Sequence, residues 1–162
     1  MCTLLHRPQI LFLDEPTNGV DPVSRREFWT ILYQLIEDGV TVFVTTAYLD
    51  EAERCNRVGL LHKGRLLRCE SPEAMRYGAE ETCYEVMADN LRGFRNHLAS
   101  RPGVVSAEPF GTTLHVFLEK SVDPTVLERA EFGSRYRSIT PSLEDIFIAT
   151  VRKDEREKAQ VN

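Results

Sequence analysis

Gln9 to Trp29 reads "QILFLDEPTNGVDPVSRREFW", and Val40 to Thr46 reads "VTVFVTT". The run Ile10 to Leu13 is apolar, ends in the acid pair Asp14-Glu15 and is stopped by Pro16. It is too short for a buried helix, so a buried parallel strand is predicted. A turn follows at "NGVDP", where Asp21 can cap a helix and Pro22 fits its first turn. That helix is predicted to run to about Asp38, with Phe28, Ile31, Leu32, Leu35 and Ile36 on one face and Gly39 ending it. "VTVFVTT", rich in β-branched residues, is a second buried strand. Strand, helix, strand is the right-handed crossover unit of a parallel sheet.

Beyond this unit, Tyr48 to Cys55 reads as a short acidic helix. "RVGLLHKGRLLRC" is strand, turn, strand, with the turn at Lys63-Gly64. Ser71-Pro72-Glu73 starts another short helix, ended by Gly78. A boundary is expected near Ala79 to Thr82. The pattern then changes to a strand "CYEVMA", a helix "LRGFRNHLAS", strands "VVSAEPF" and "TLHVFLE" around Gly111, a helix "DPTVLERAEF" and a strand "RYRSIT". This β-α-β-β-α-β order is that of a small ferredoxin-like sandwich. Pro141-Ser142 opens a last helix, "SLEDIFIATVRKDEREK", whose charged end is expected to fray.

A chain of 162 residues makes one ordinary domain or two small ones. With 42% apolar and 28% charged residues it has a soluble globular profile. A net charge of −5 without a basic cluster argues against a nucleic-acid binder. The apolar runs fall far short of a membrane span, and the residues after Met1 (Cys2, His6, Arg7, Pro8) do not read as an export signal. Cys2, Cys55, Cys69 and Cys83 show no C-x-x-C spacing, which speaks against zinc and for reduced, small apolar side chains. His6, His62, His97 and His115 are scattered and read as non-ligands. Trp29 reads as packing, and Glu80-Glu81 and "RKDEREK" as solvated faces.

The chemistry concentrates at Asp14-Glu15. In open parallel sheets, ligands bind at the carboxyl ends of strands, where these acids lie. Two adjacent carboxylates there are costly without a cation or a proton to share. The first acid of such a pair can hold Mg²⁺, usually through water. The second can polarise an attacking water as a general base. The plainer alternative is that both merely cap a turn. No phosphate-binding G-x-x-x-x-G-K-[ST] occurs. Gly59 to Arg65, "GLLHKGR", has the glycine spacing. It carries Arg65 for lysine and Leu66 for the hydroxyl, and it lies between two strands, so it is rejected.

"LDEPTNGVDPVSRREFW" resembles the Walker B and D-loop stretch of ABC ATPases, and "VTVFVTTAYLDEAERCNRVGLLHKGRLL" resembles the switch region that follows. The resemblance covers about Leu4 to Met75. "PSLEDIFIATV", Pro141 to Val151, resembles the ending common in ABC-2-type exporters, drug exporters with tandem nucleotide-binding domains among them. The resemblance implies an α/β fold with a partial P-loop NTPase-type parallel sheet (residues 1–80), to which the element order above adds a C-terminal α+β, ferredoxin-like accessory domain (residues 81–162). It implies Asp14 as the Mg²⁺-side carboxylate, Glu15 as the catalytic base and Asp21 as the D-loop acid facing an opposite subunit.

Two departures stand out. The family's switch histidine position is Ala47, which has no side-chain donor, as in the degenerate member of a paired site. The phosphate loop and the Gly-Gly signature are absent, so Met1 is expected to be an internal methionine or the start of a split frame. ATP and Mg²⁺ are then expected as cofactors only once the missing front half is supplied. The implied partners are ABC-2 membrane permease subunits and a second nucleotide-binding domain, with no nucleic acid, at the cytoplasmic face of the inner membrane. The alternatives are a non-catalytic regulatory or binding module derived from such an ATPase, and a P-loop ATPase of DNA-repair or helicase type. The acidic charge and the "GVDP" and "DEAE" contexts count against the last.

Overall fold

The computed structural model describes residues 8–77 and 81–161. Met1, Cys2, His6, the expected helix end at Gly78, the start of the expected boundary at Ala79, and Glu80 lie outside the described residues. The chain packs as two compact units, Met1–Glu51 and Ala52–Asn162.

The first unit holds β1 (Ile10–Asp14), α1 (Pro22–Glu37), β2 (Thr41–Thr45) and most of the short α2 (Leu49–Ala52). β1 and β2 pair in parallel, Ile10 opposite Thr41 through Asp14 opposite Thr45. α1 begins as expected: Asp21 Oδ1 accepts from the amides of Val23 (2.9 Å) and Ser24 (3.1 Å), with Pro22 following the cap. It ends where Gly39 takes φ +89°, a value that favours glycine. Its most buried residues are Trp29 and Leu32, and Ile36 is exposed, so the inward stripe is rotated from the expected one. The reading of Trp29 as packing holds.

Neither strand is buried on both faces, which corrects the sequence-based expectation. Leu11 is buried, but Ile10, Phe12 (72% exposed) and Phe43 (56% exposed) are open. The cause is the cover. The apolar residues occupy both faces of the strands, as in a sheet clothed on both sides, and Ile10, Phe12 and Phe43 have no layer over them among the described residues.

The second unit begins with the hairpin of β3 (Val58–His62) and β4 (Arg65–Glu70). Its turn residues Lys63 and Gly64 both have positive φ, as a two-residue hairpin requires. The rejected glycine pair therefore lies on a hairpin. α3 (Pro72–Tyr77) starts with Ser71 Oγ accepting from the Ala74 amide at 3.1 Å and buries Met75.

β5 (Glu81–Met87), α4 (Leu91–Ala99), β6 (Val104–Phe110), β7 (Thr113–Glu119), β8 (Arg135–Ser138) and α5 (Leu143–Val161) complete the unit. The sheet order is β6-β7-β5-β8, and every pair is antiparallel. One face packs Val86, Leu114, Val116 and Leu118 with Phe94 and Leu98 of α4. The other packs Cys83, Val105 and Phe117 with Ala149 of α5. Burial pushes the Cys83 thiol up to about 12, and the Asp145 charge adds to the effect. On that second face His115 Nδ1 lies 2.7 Å from Asp145 Oδ1, while Asp145 Oδ2 accepts from the Ser142 amide (2.9 Å) and hydroxyl (2.7 Å). His115 thus anchors the start of α5.

Two further expectations are corrected here. "DPTVLERAEF" forms two short 3-10 turns, Pro124–Leu127 and Ala130–Phe132, in place of a helix. Ser134 diverts the ladder: its hydroxyl donates to Leu127 O (2.8 Å) and accepts from the Arg129 amide (2.7 Å). The charged end of α5 stays helical to Val161 and is ion-paired, not merely solvated. Arg152 meets Glu108 (3.2 Å), Lys153 meets Glu81 (2.8 Å) and Arg156 donates to Val104 O (2.5 Å). Among the described residues, no helix is long and apolar enough to cross a membrane.

Candidate functional site

Asp14 and Glu15 lie at the carboxyl end of β1, and the opposite strand contributes Thr45. The Thr45 hydroxyl donates to Asp14 Oδ1 and accepts from the Glu15 amide at 3.1 Å. The same amide donates to the Thr45 carbonyl at 3.0 Å. Thr45 therefore fastens both acids to the end of β2. Glu15 has φ +47°, a left-handed conformation that costs a non-glycine residue about 1–3 kcal/mol unless its surroundings impose it. Here the strand end fixes its amide and the Asn18 amide closes a turn on its carbonyl at 3.1 Å. Both residues are exposed.

Ala47, the expected switch position, is also exposed and follows by two residues the Thr45 that pairs with Asp14 at the carboxyl end of the strand pair. Asp21 sits apart, at the start of α1. Its carboxyl is held below the usual value by the Ser24 side chain first, then by the Ser24 and Val23 amides. The cap reading of Asp21 holds. A role toward another subunit is a separate matter, since only one of its oxygens is engaged by the two amides.

The sequence reading missed Glu51. It belongs to the stretch read only as a short acidic helix, yet it is fully buried. Its Oε2 accepts from Thr17 Oγ1 and from Thr46 Oγ1, each at 2.9 Å. Its Oε1 lies 3.4 Å from Arg25 Nε. The Arg25 guanidinium rests over the Tyr48 ring, 4.5 Å from its centroid. The partners sit 34, 26 and 5 positions away in sequence, so no local periodicity announces them. The one available signal was a threonine two residues after the acid pair and another just before Ala47.

Among the described residues, no group of three or more His, Cys, Asp or Glu could cage a metal. Mg²⁺ is commonly held by one or two carboxylates together with waters and substrate phosphates. Asp14 and Glu15, exposed at a strand end, fit that limited role and not a closed all-protein site.

A chain with a parallel strand pair ending in two carboxylates is homologous, over most of its length, to the ATP-binding proteins of ABC transporters. The probable multidrug ABC transporter ATP-binding protein YbhF of Escherichia coli is 53% identical over 75 residues, which is 46% of this chain and 13% of that protein. Nod factor export ATP-binding protein I of Rhizobium sp. (strain N33) is 36% identical over 148 residues, 90% of this chain and 48% of the relative. Its counterpart in Cupriavidus metallidurans is 31% identical over 157 residues, 95% of this chain and 51% of the relative. The chain thus spans about half the length of the Nod factor relatives and a much smaller share of YbhF. No family model matches the chain. Among solved structures, UvrA2 from Deinococcus radiodurans aligns over 80% of this chain and 20% of that one, at a TM-score of 0.36 and 18% identity.

Proposed function

We propose that this chain supplies the magnesium-side and water-activating carboxylates of an ABC exporter's ATP site. Asp14 holds Mg²⁺ through water, Glu15 acts as general base, and Asp21 faces a second nucleotide-binding domain. The observation that carries this is the placement of Asp14 and Glu15 at the carboxyl end of parallel β1, with Glu15 held left-handed by Thr45. Mg²⁺, when bound, neutralises phosphate charge. The protein's own part is to orient the acids and accept a proton at the Glu15 carboxylate.

On this reading the nucleotide-binding part is residues 1–80, and residues 81–162 form an accessory domain of ferredoxin-like type. The antiparallel order β6-β7-β5-β8, with α4 between β5 and β6, supports that description, and the two 3-10 turns stand in for its second helix. The sequence contains no phosphate loop, so the site is completed by a segment that carries one. The open face bearing Ile10, Phe12 and Phe43 is consistent with such a covering segment. The whole assembly would energise export through ABC-2-type membrane subunits at the cytoplasmic face of the membrane. The export activities in the relatives' names are the ground for that step.

A second reading is favoured by Ala47: the exposed switch position offers no donor, as in a site kept for binding or regulation. One experiment separates the two. The chain is joined to a phosphate-loop segment of an ABC ATP-binding relative, and single-turnover phosphate release and ATP binding are measured. Hydrolysis abolished by Glu15→Gln with binding retained supports the first reading. Binding without hydrolysis in the parent supports the second.

A further inference from the structure

We propose that Glu51 is a positioning residue of this site, locking the turn after the acid pair to the segment that carries Ala47. The inference rests on the reading of Asp14 and Glu15 given above. A fully buried carboxylate is costly unless its oxygens are satisfied. Here Oε2 is satisfied by two threonine hydroxyls and the charge is offset by Arg25 Nε, 3.4 Å from Oε1, all from parts of the unit that must keep register for the site to work. Thr17, itself 1% exposed, lies two residues beyond Glu15 and donates to Oε2. Thr46, immediately before Ala47, donates to the same oxygen. Thr46 Oγ1 in turn accepts from the Tyr48 amide at 3.0 Å, and Tyr48 lies under the Arg25 guanidinium. Arg25 also faces Glu51 Oε1 and belongs to the first turn of α1, its amide donating to Asp21 O at 2.9 Å.

The acid-pair turn, the first turn of α1 and the Thr46 flank of Ala47 therefore meet at one side chain, and Tyr48 on the other flank is held through Thr46 and Arg25. Glu15 is the residue most dependent on this. Its left-handed backbone is fixed on the amide side by Thr45, and the chain that leaves it is fixed by Thr17 on Glu51. A misplacement of about 1 Å at a reacting group can cost on the order of 10²-fold in rate. Glu51 touches neither acid, so its effect runs through placement.

The test compares Glu51→Leu, which removes every polar contact at similar volume, with Glu51→Gln, which keeps an acceptor oxygen for both threonines. Amide exchange is first followed in the chain as it stands. Glu51→Leu is expected to speed exchange at Asn18 and Tyr48 by about 10-fold or more, leaving the α1 amides beyond its first turn unchanged, and Glu51→Gln to leave all of them near native. In the joined assembly, Glu51→Leu should lower kcat by about 10–10²-fold with the KM for ATP nearly constant. Thr17→Val should lower kcat in the same sense and Thr17→Ser should restore it, which decides the matter if Glu51→Leu does not fold. Native exchange and native kcat in Glu51→Leu, or in Thr17→Val, overturn the proposal. So does exchange raised evenly across the whole first unit. Glu15→Gln is the control: if it leaves hydrolysis intact, the reading of the site fails, whereas hydrolysis lost in Glu15→Gln but native in Glu51→Leu defeats the positioning role alone.

Discussion

At Asp21 one carboxylate oxygen accepts from two backbone amides that the first turn of α1 would otherwise leave unsatisfied. The Ser24 side chain first, and then these amide contacts, favour the ionised form, so the folded carboxyl titrates below its usual 3.8. The sign follows directly: stabilisation is present above the unfolded value and is lost as pH falls through the lower, folded one. Asp21→Asn keeps an acceptor but cannot titrate. The loss of α1 helicity below about pH 4 should therefore be shallower in Asp21→Asn than in the native chain, read by ellipticity against pH. Asp21→Ala should be less stable than either at neutral pH. Ala47 poses the opposite case, a position defined by what its side chain lacks. Its neighbours Thr46 and Tyr48 are tied to Glu51 and Arg25, so an imidazole introduced there would stand on a fixed backbone. In the joined assembly Ala47→His should raise the single-turnover rate far more than it tightens ATP binding, because a donor to the γ-phosphate matters most in the transition state. Equal rates would reject the missing imidazole as the limit and leave the binding-only reading standing.

At the scale of elements, β1, α1, β2 and the β3–β4 hairpin are legible in the sequence because their signals are local: an apolar run stopped by Pro16, a cap at Asp21, a turn at Lys63-Gly64. Asp14 and Glu15 stand out for the same reason, and Asp21 as a helix cap, whereas Ala47 stands out only through the family resemblance. What depends on distant partners could not be read. The 3-10 turns at Pro124–Leu127 and Ala130–Phe132 answer to Ser134, whose hydroxyl reaches back to Leu127. Glu51 answers to Thr17 and Arg25, and the α5 tail to Glu81 and Glu108. The burial of β1 was misjudged because apolar residues on both faces tell what the strand needs and not what covers it. Phe12 and Phe43 face one another in register, with ring centroids 5.6 Å apart, and both are largely open. An exposed apolar pair on a two-stranded sheet invites association. The chain alone should self-associate at high concentration. Phe12→Thr with Phe43→Thr, which keeps β propensity while removing apolar area, should shift light scattering toward the monomer. A native chain already monodisperse under those conditions would count against this.

For the molecule as a whole, the decisive quantity is how much of an ATP site this chain holds. It places Asp14 and Glu15 on one edge of a parallel strand pair and secures them through Thr45. On the proposed reading those groups act on a nucleotide that another segment binds. In P-loop ATPases the backbone amides and lysine of the phosphate loop supply most of the contacts to the β- and γ-phosphates. No such loop occurs in this sequence, and the nearest glycine pair, Gly59 and Gly64, lies on and beyond β3 in an antiparallel hairpin. Two exposed carboxylates without those contacts repel the triphosphate more than they hold it. They can still attract a hydrated divalent ion, weakly and without selectivity. The chain alone with Mg-ATP should therefore release no phosphate above the blank, and Glu15→Gln should change nothing. Joined to a phosphate-loop segment, it should bind ATP, and Glu15→Gln should then separate binding from hydrolysis. Turnover by the unaided chain at ordinary enzyme rates, roughly 1 s⁻¹ or faster, and abolished by Glu15→Gln, would mean that its own residues bind the triphosphate after all. The search for that site would start from the carboxyl end of the strand pair, at Glu15.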